Sequence, residues 1–326
     1  MLTTRLTEQL GIAHPVISAP MATASGGELA AVVTQAGGLG MIGGGYGKSD
    51  WIAEQFGLAG NQSVGCGFIT WALEKNQTAL DETLERSPAA VFLSFGDPAP
   101  YADQIKASGT VFICQVQTVK DAKRAIEVGA DIVVAQGNEA GGHSGKRATF
   151  TLVPEIADAI NAIGSDVLLV AAGGIGDGRG LAASLMLGAD GVLVGTRFWA
   201  SDEALVHENM LREAVAASGD DTLQTNVMDV ARELDWPERY LAHALRNKFT
   251  DQWHGNIDEL KKAGKAEADK WTAAWAAGDT DIANTMVGEA TGLISSVKPA
   301  AEILESIVSE ATDIISNSFR QNVKQG

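Results

Sequence analysis

Cysteine is nearly absent: Cys66 and Cys114 are the only two in 326 residues, and each lies in an apolar run, Val64–Ile69 and Val111–Gln115. That usage excludes a disulfide framework and a cysteine metal site, and buried, reduced thiols in a cytoplasmic protein are expected. Basic residues are scarce as well. Lys and Arg number 24 against 41 Asp and Glu, a formal net charge of −17. A surface of that sign repels nucleic-acid phosphates and anionic membranes, so neither is expected as a partner. A small anionic substrate stays open, because a local site can oppose the global charge. Apolar runs of membrane-spanning length are missing, and Met1–Arg5 carries no signal-peptide core. Against these absences stand 45% hydrophobic and 20% charged residues, the balance of a soluble α/β chain with one large domain or two smaller ones.

Short apolar runs recur at Pro15–Pro20, Leu39–Gly43, Val64–Ile69, Ala90–Phe95, Thr110–Gln115, Asp131–Gln136, Val167–Ala172 and Asp190–Gly195. Amphipathic stretches follow them, such as Glu28–Ala36, Thr78–Arg86, Val119–Val128, Pro154–Ile163 and Gly180–Leu187, with Ser25, Ser49 and Thr118 as capping residues. Near-continuous apolar strands signify a parallel sheet covered on both faces. Eight consecutive strand–helix units predict a (β/α)8 barrel, with an open doubly wound sheet as the alternative. Glu203–Ala217 is expected to be the eighth helix of the ring.

Beyond residue 217 the strand rhythm stops. The stretch 218–297 holds Trp236, Trp253, Trp271 and Trp275 and helical patterns over Ile257–Lys270 and Lys270–Ala277. It predicts a small helical subdomain that covers the barrel mouth as a lid or specificity wall. Residues 298–326 close the chain with an amphipathic helix over Ala300–Phe319, apolar at Ile303, Leu304, Ile307, Val308, Ile314 and Ile315. The expected division is therefore a barrel over 1–217, a helical subdomain over 218–297 and a closing helix packed on the barrel.

Chemistry in a barrel sits at the strand C-termini. Those ends here are rich in glycine and amides and poor in acids, which excludes a metal-dependent hydrolase and suits a flat, hydrogen-bonding cofactor. Ala172-Gly173-Gly174 and Gly195-Thr196 stand where barrels commonly bind phosphate through loop N–H groups, and having the glycines in that strand order favours phosphate over two ordinary tight turns. Gly43–Ser49 imitates a phosphate-binding loop, but Ile42 stands where its first glycine would be, and Gly173–Gly180 fits no dinucleotide fingerprint. The richest loop is Gln136–Gly145, in which an apolar strand runs into glycines and His143. Glycines admit close backbone approach, and imidazole titrates near neutrality, so the loop either exchanges protons with a ligand or is a solvated turn. His14 precedes the first strand and His207 lies in the expected eighth helix. His243 and His254, near Arg246 and Trp253, are assigned to packing or surface.

Ala19-Pro20-Met21, Ala36–Gly40, Glu139–Gly145, Ala172–Ile175 and Gly195–Phe198, with Gly278–Asp281 and Gly288–Ile294 further on, together resemble the nitronate monooxygenases. The resemblance implies an FMN-binding (β/α)8 barrel with a small helical domain. It implies that Ala19, Pro20 and Met21 border the isoalloxazine ring, that Gln136, Gly141 and the adjoining Gly142 meet the flavin, and that Gly173, Gly174, Gly195 and Thr196 hold its phosphate. His143 matches the family's catalytic acid or base. Relatives often carry Asn and Lys beside the flavin where this chain has Gly67 and Gln115. The implied reaction is oxidation of a nitronate, or of a nitroalkane after loss of its α-proton, by O2 to a carbonyl compound and nitrite. Similar proteins reduce quinones or enoyl thioesters with NAD(P)H, which is the alternative. A small-molecule substrate and O2 are the expected partners, with self-association open and no metal.

Overall fold

The computed structural model describes residues 2–76 and 78–321, so the end of the expected closing segment, 322–326, lies outside the described residues. The strands in chain order are β1 (Val16–Ser18), β2 (Met41–Gly45), β3 (Gly65–Ile69), β4 (Ala90–Ser94), β5 (Val111–Val116), β6 (Ile132–Gln136), β7 (Gly142–Ser144), β8 (Leu168–Ala172), β9 (Gly191–Val194), β10 (Thr222–Thr225) and β11 (Leu241–Leu245). Eight of them form one parallel sheet in the order β1-β9-β8-β6-β5-β4-β3-β2. The remaining seam, between β1 and β2, is joined where Ser18 N donates to Leu39 O at 3.0 Å and Leu39 N to Val16 O at 3.0 Å. The result is a (β/α)8 barrel.

Side-chain alternation explains why these runs pair this way. Along β6, Ile132 and Val134 join Ile17, Met41, Phe92, Ile113 and Val170 in the barrel interior. Val133 and Ala135 face the opposite way, into the helix layer with Val91, Phe112, Leu169 and Val192. Both faces are apolar because both are covered, the condition of a parallel sheet. Cys66 and Cys114 belong to the outer layer, and burial pushes the Cys66 thiol up to about 12. The helix Arg5–Leu10 plugs the barrel floor with fully buried Leu6, and Arg5 pairs with Asp190 at 2.8 Å.

The eighth helix of the ring is not the expected one. Only Glu208–Ala216 of the stretch 203–217 is helical, and its Met210 and Ala214 pack with Trp199, Ala283 and Ile294 above the barrel. The slot between the helices Gly27–Gln35 and Gly178–Met186 is filled by Ala300–Gln321 instead. Its Ile303, Leu304, Ile307, Val308 and Ala311 are buried in the outer core. A Cβ on Gly178 would lie 2.4 Å from Ala311 N, so the two helices meet backbone to backbone.

The stretch 218–297 also departs from the sequence pattern, which predicts helices alone. It contains β10 and β11, and β11 pairs antiparallel with β10 on one side and β7 on the other. Leu241–Leu245 is Leu-Ala-His-Ala-Leu, composed largely of good helix formers, and its extended state is imposed by those neighbours. A helix, Val227–Ala231, lies between β10 and β11, and Lys248–Trp253, Ile257–Ala263 and Lys265–Ala277 follow, the last two separated by Gly264 at φ 55°. Among the described residues, no helix is long and apolar enough to cross a membrane.

Because Leu304 is fully buried in the final helix, Leu304→Ala is expected to destabilise the whole barrel by about 2–5 kcal/mol, read as a lower urea midpoint. An unchanged midpoint would mean that this helix does not complete the ring.

Candidate active site

A cavity of about 420 Å³ opens at the C-terminal ends of the strands. It brings together all of the predicted site residues: Ala19, Pro20, Met21, Gly67, Gln115, Gln136, Gly141, Gly142, His143, Gly173, Gly174, Gly195 and Thr196. The added segment supplies the roof, with Arg232, Trp236, Trp271, Trp275 and Met286.

One end of the cavity is built from β8 and β9. Gly173 and Gly174 adopt φ 102° and 71°, a left-handed pair that turns successive N–H groups toward the same space. Among the described residues, the N–H groups of Gly173, Gly174 and Gly195 find no protein acceptor. Thr196 is held in place where its hydroxyl accepts from Gly288 N at 3.1 Å. Unspent donors lining a cavity make an anion receptor, and this one fits the phosphate of a bound cofactor.

The loop after β6 is fixed from several sides. Gln136 donates through Nε2 to His143 O at 3.1 Å and accepts from Gln117 Nε2 at 2.8 Å, so its amide positions the loop. The glycine requirement at Gly141 comes from its back face, where a Cβ would lie 2.7 Å from Gly288 N and 2.9 Å from Val287 C. Beyond it, β7 pairs with β11, His143 opposite Ala242. That pairing ties the histidine to the added segment.

His143 is buried, and its Nε2 lies 3.0 and 2.9 Å from the two carboxylate oxygens of Asp229, which is buried too. A carboxylate can only accept here, so Nε2 carries a proton and Nδ1 is left with the lone pair. Burial lowers the pKa of His143 below its ordinary value; Asp229 pulls it back up in part, and Arg232 lowers it further. The resting imidazole is neutral. Trp236 stacks on it with ring centroids 3.3 Å apart and planes 4° from parallel. Phe95, Tyr46, Trp71 and Tyr240 surround that indole edge-on, and Trp236 Nε1 donates to the Tyr46 hydroxyl at 3.1 Å. Burial raises the Tyr46 pKa, so the phenol remains protonated at neutral pH.

The other histidines do different work. His207 precedes the helix Glu208–Ala216 as its cap, accepting from Asn209 N, and its ring lies at the cavity rim. His243 bridges Asn138 O and Thr222 Oγ1 at 3.0 and 2.9 Å, a packing role that locks β10 and β11 to the glycine loop. His254 contacts Thr225 Oγ1. His14 stands before β1 with its pKa lowered by burial. Among the described residues, no group of three His, Cys, Asp or Glu could hold a metal. Sequence reasoning missed Asp229, Arg232 and Trp236. All three lie in Asp229–Trp236, a stretch without strand or helix periodicity, and a charged pair flanking an apolar turn was the only local signal.

The close packing behind Gly141 has a measurable consequence. Gly141→Ala is expected to lower stability by about 1–3 kcal/mol in urea unfolding, because backbone atoms of 287–288 must move; an unchanged stability would show that the loop is not clamped there.

The comparison with known proteins agrees with this arrangement. The family model for nitronate monooxygenase matches residues 3–59 and 67–310. A nitronate monooxygenase of Neurospora crassa is 34% identical over 92% of this chain and 89% of its own. The solved structure of FabK from Thermotoga maritima superposes with a TM-score of 0.83 at 32% identity, covering 99% of this chain and all of that one. Nitroalkane oxidase from Streptomyces ansochromogenes shares the fold, with a TM-score of 0.77 at 24% identity over 95% of this chain and 99% of that one. With the family model matched along nearly the whole described length, this chain is an oxidoreductase that belongs to the nitronate monooxygenase family.

Proposed function

We propose that the protein is an FMN-dependent enzyme that oxidises alkyl nitronates, and nitroalkanes once their α-proton is removed, with O2 as oxidant. In the net reaction two nitronates consume one O2: each C–N bond breaks, one oxygen atom of O2 ends on each carbon as the carbonyl, and each nitrogen leaves as nitrite. The observation that carries this reading is a neutral, buried imidazole with one nitrogen free, facing a cavity whose other end presents unspent N–H donors. Gly173, Gly174, Gly195 and Thr196 would hold the FMN phosphate. Ala19, Pro20, Met21, Gly67 and Gln115 would border its ring, with Gln136, Gly141 and Gly142 beside it. When bound, FMN supplies the two-electron chemistry that imidazole and amide groups lack.

The histidine's part is proton transfer. A nitro group acidifies its α-carbon, and His143 Nδ1 accepts the proton while Nε2–H stays on Asp229. The imidazolium formed is then paired with a carboxylate 2.9 Å away in a water-poor pocket, where such a pair is worth more than in solvent. Trp236 prevents the ring from turning, so Nδ1 is presented in one orientation. A preformed nitronate has already lost its proton and needs none of this.

Two tests follow. Mixed without oxygen, the yellow protein is expected to bleach with a nitronate and to remain yellow with NADPH alone. Rapid bleaching by NADPH would instead favour a reductase, and absence of flavin from the heat-denatured supernatant would contradict the cofactor. In the second, His143→Ala should cut turnover of freshly dissolved, neutral nitroalkane by on the order of 100-fold or more, and of preformed nitronate far less. Because burial lowers the His143 pKa, nitroalkane kcat/KM should be flat above pH about 6.5 and fall only below it. Asp229→Asn removes the group that raises that pKa, so its acid limb should move to lower pH as the plateau drops; a limb moving upward would contradict the pairing.

A further inference from the structure

Arg232 stands out among the residues lining the cavity as the one side chain with a permanent charge. It ends the helix Val227–Ala231, one turn beyond Asp229, whose carboxylate is spent on His143. Among the described residues it makes no ion pair, although this chain carries far more acids than bases. Its guanidinium is half-buried, 5.7 Å from the ring centroid of Tyr46 and 5.7 Å from that of Trp271. Tyr46 takes a side-chain hydrogen bond from it, and the aromatic faces leave its remaining edge donors free. The surrounding wall, with Trp236, Trp275 and Met286, contains no acid to neutralise it.

This cation lies apart from the glycine donors. Tyr46 follows β2, which the closed ring separates from β9 by β1, and from β8 by β1 and β9; the ends of β9 and β8 carry Gly195 and Gly173 with Gly174. A cofactor phosphate bound at those donors leaves Arg232 without an anionic partner. Arg232 and His143 line the same cavity and are linked through its aromatic wall: Trp236 stacks on His143 and donates to the hydroxyl of Tyr46, whose ring the guanidinium faces.

We infer that Arg232 is the residue that recognises the substrate's planar, two-oxygen anion, receiving the nitronate group on its edge donors beneath Tyr46 and Trp271. The inference rests on the proposed reaction and deepens it by naming the group that distinguishes the two substrate forms. A guanidinium fork matches two oxygens on one atom in a plane, which a lysine ammonium does not. A preformed nitronate carries its charge on arrival, so Arg232 acts on its binding. A neutral nitroalkane acquires the charge only as the α-proton leaves, so there Arg232 acts on the chemical step.

The test uses Arg232→Met and Arg232→Lys in the protein as purified, with its bound cofactor. Calorimetric titration with nitrate, an unreactive planar oxyanion, should show binding weakened on the order of 10- to 100-fold by Arg232→Met and partly restored by Arg232→Lys. With substrates, Arg232→Met should raise KM for preformed nitronate, whereas for neutral nitroalkane the loss should fall in kcat with KM little changed. Nitrate binding indifferent to both substitutions, or equal KM losses for the charged and neutral substrates, would overturn the inference. Nitrate binding that depends on Arg232 in an enzyme that oxidises no nitronate would overturn the proposed reaction instead, leaving the anion site in place.

Discussion

The contact between His143 Nε2 and the Asp229 carboxylate is where the two parts of this molecule depend on each other. His143 leaves the barrel at the end of β6, and Asp229 arrives on a helix from the added segment, 86 residues later. Neither group is tolerable alone in a buried setting: an unpaired carboxylate would carry its full desolvation cost, and an unanchored imidazole could take either tautomer. Together they fix which nitrogen is protonated, and the β7–β11 pairing keeps them within reach. Trp236 then covers one face of the ring.

Around that contact, the barrel and the added segment divide the work. The barrel's strand ends supply glycines, backbone donors and amides, a surface that can hold a flat cofactor but has little acid–base capacity. The segment supplies the charged and aromatic groups: Asp229, Arg232, Trp236 and Trp271. In the proposed reaction the acid–base groups would therefore come from the roof as much as from the barrel.

Much of the barrel was legible from the chain. The eight apolar runs coincide with the eight barrel strands, because burial on both faces leaves a signature that needs no partner to read. The glycine-rich strand ends and His143 were legible for the same local reason, and they converge on one cavity. What stayed hidden depended on distant chain. The ring's eighth helix comes from 300–321 rather than 203–217, a choice made by whichever amphipathic face fits between two helices. Leu241–Leu245 is extended only because β7 and β10 flank it. Asp229 carries no motif; its role exists only after the segment folds over the mouth.

The central claim is a neutral His143 with the proton on Nε2 and the lone pair on Nδ1. Nitrogen chemical shifts of the His143 ring, read by long-range proton–nitrogen NMR at neutral pH and assigned with His143→Gln, measure that directly. The account predicts one protonated nitrogen, Nε2, and an unprotonated Nδ1. A proton on Nδ1 alone, or an imidazolium with both nitrogens protonated, would contradict it.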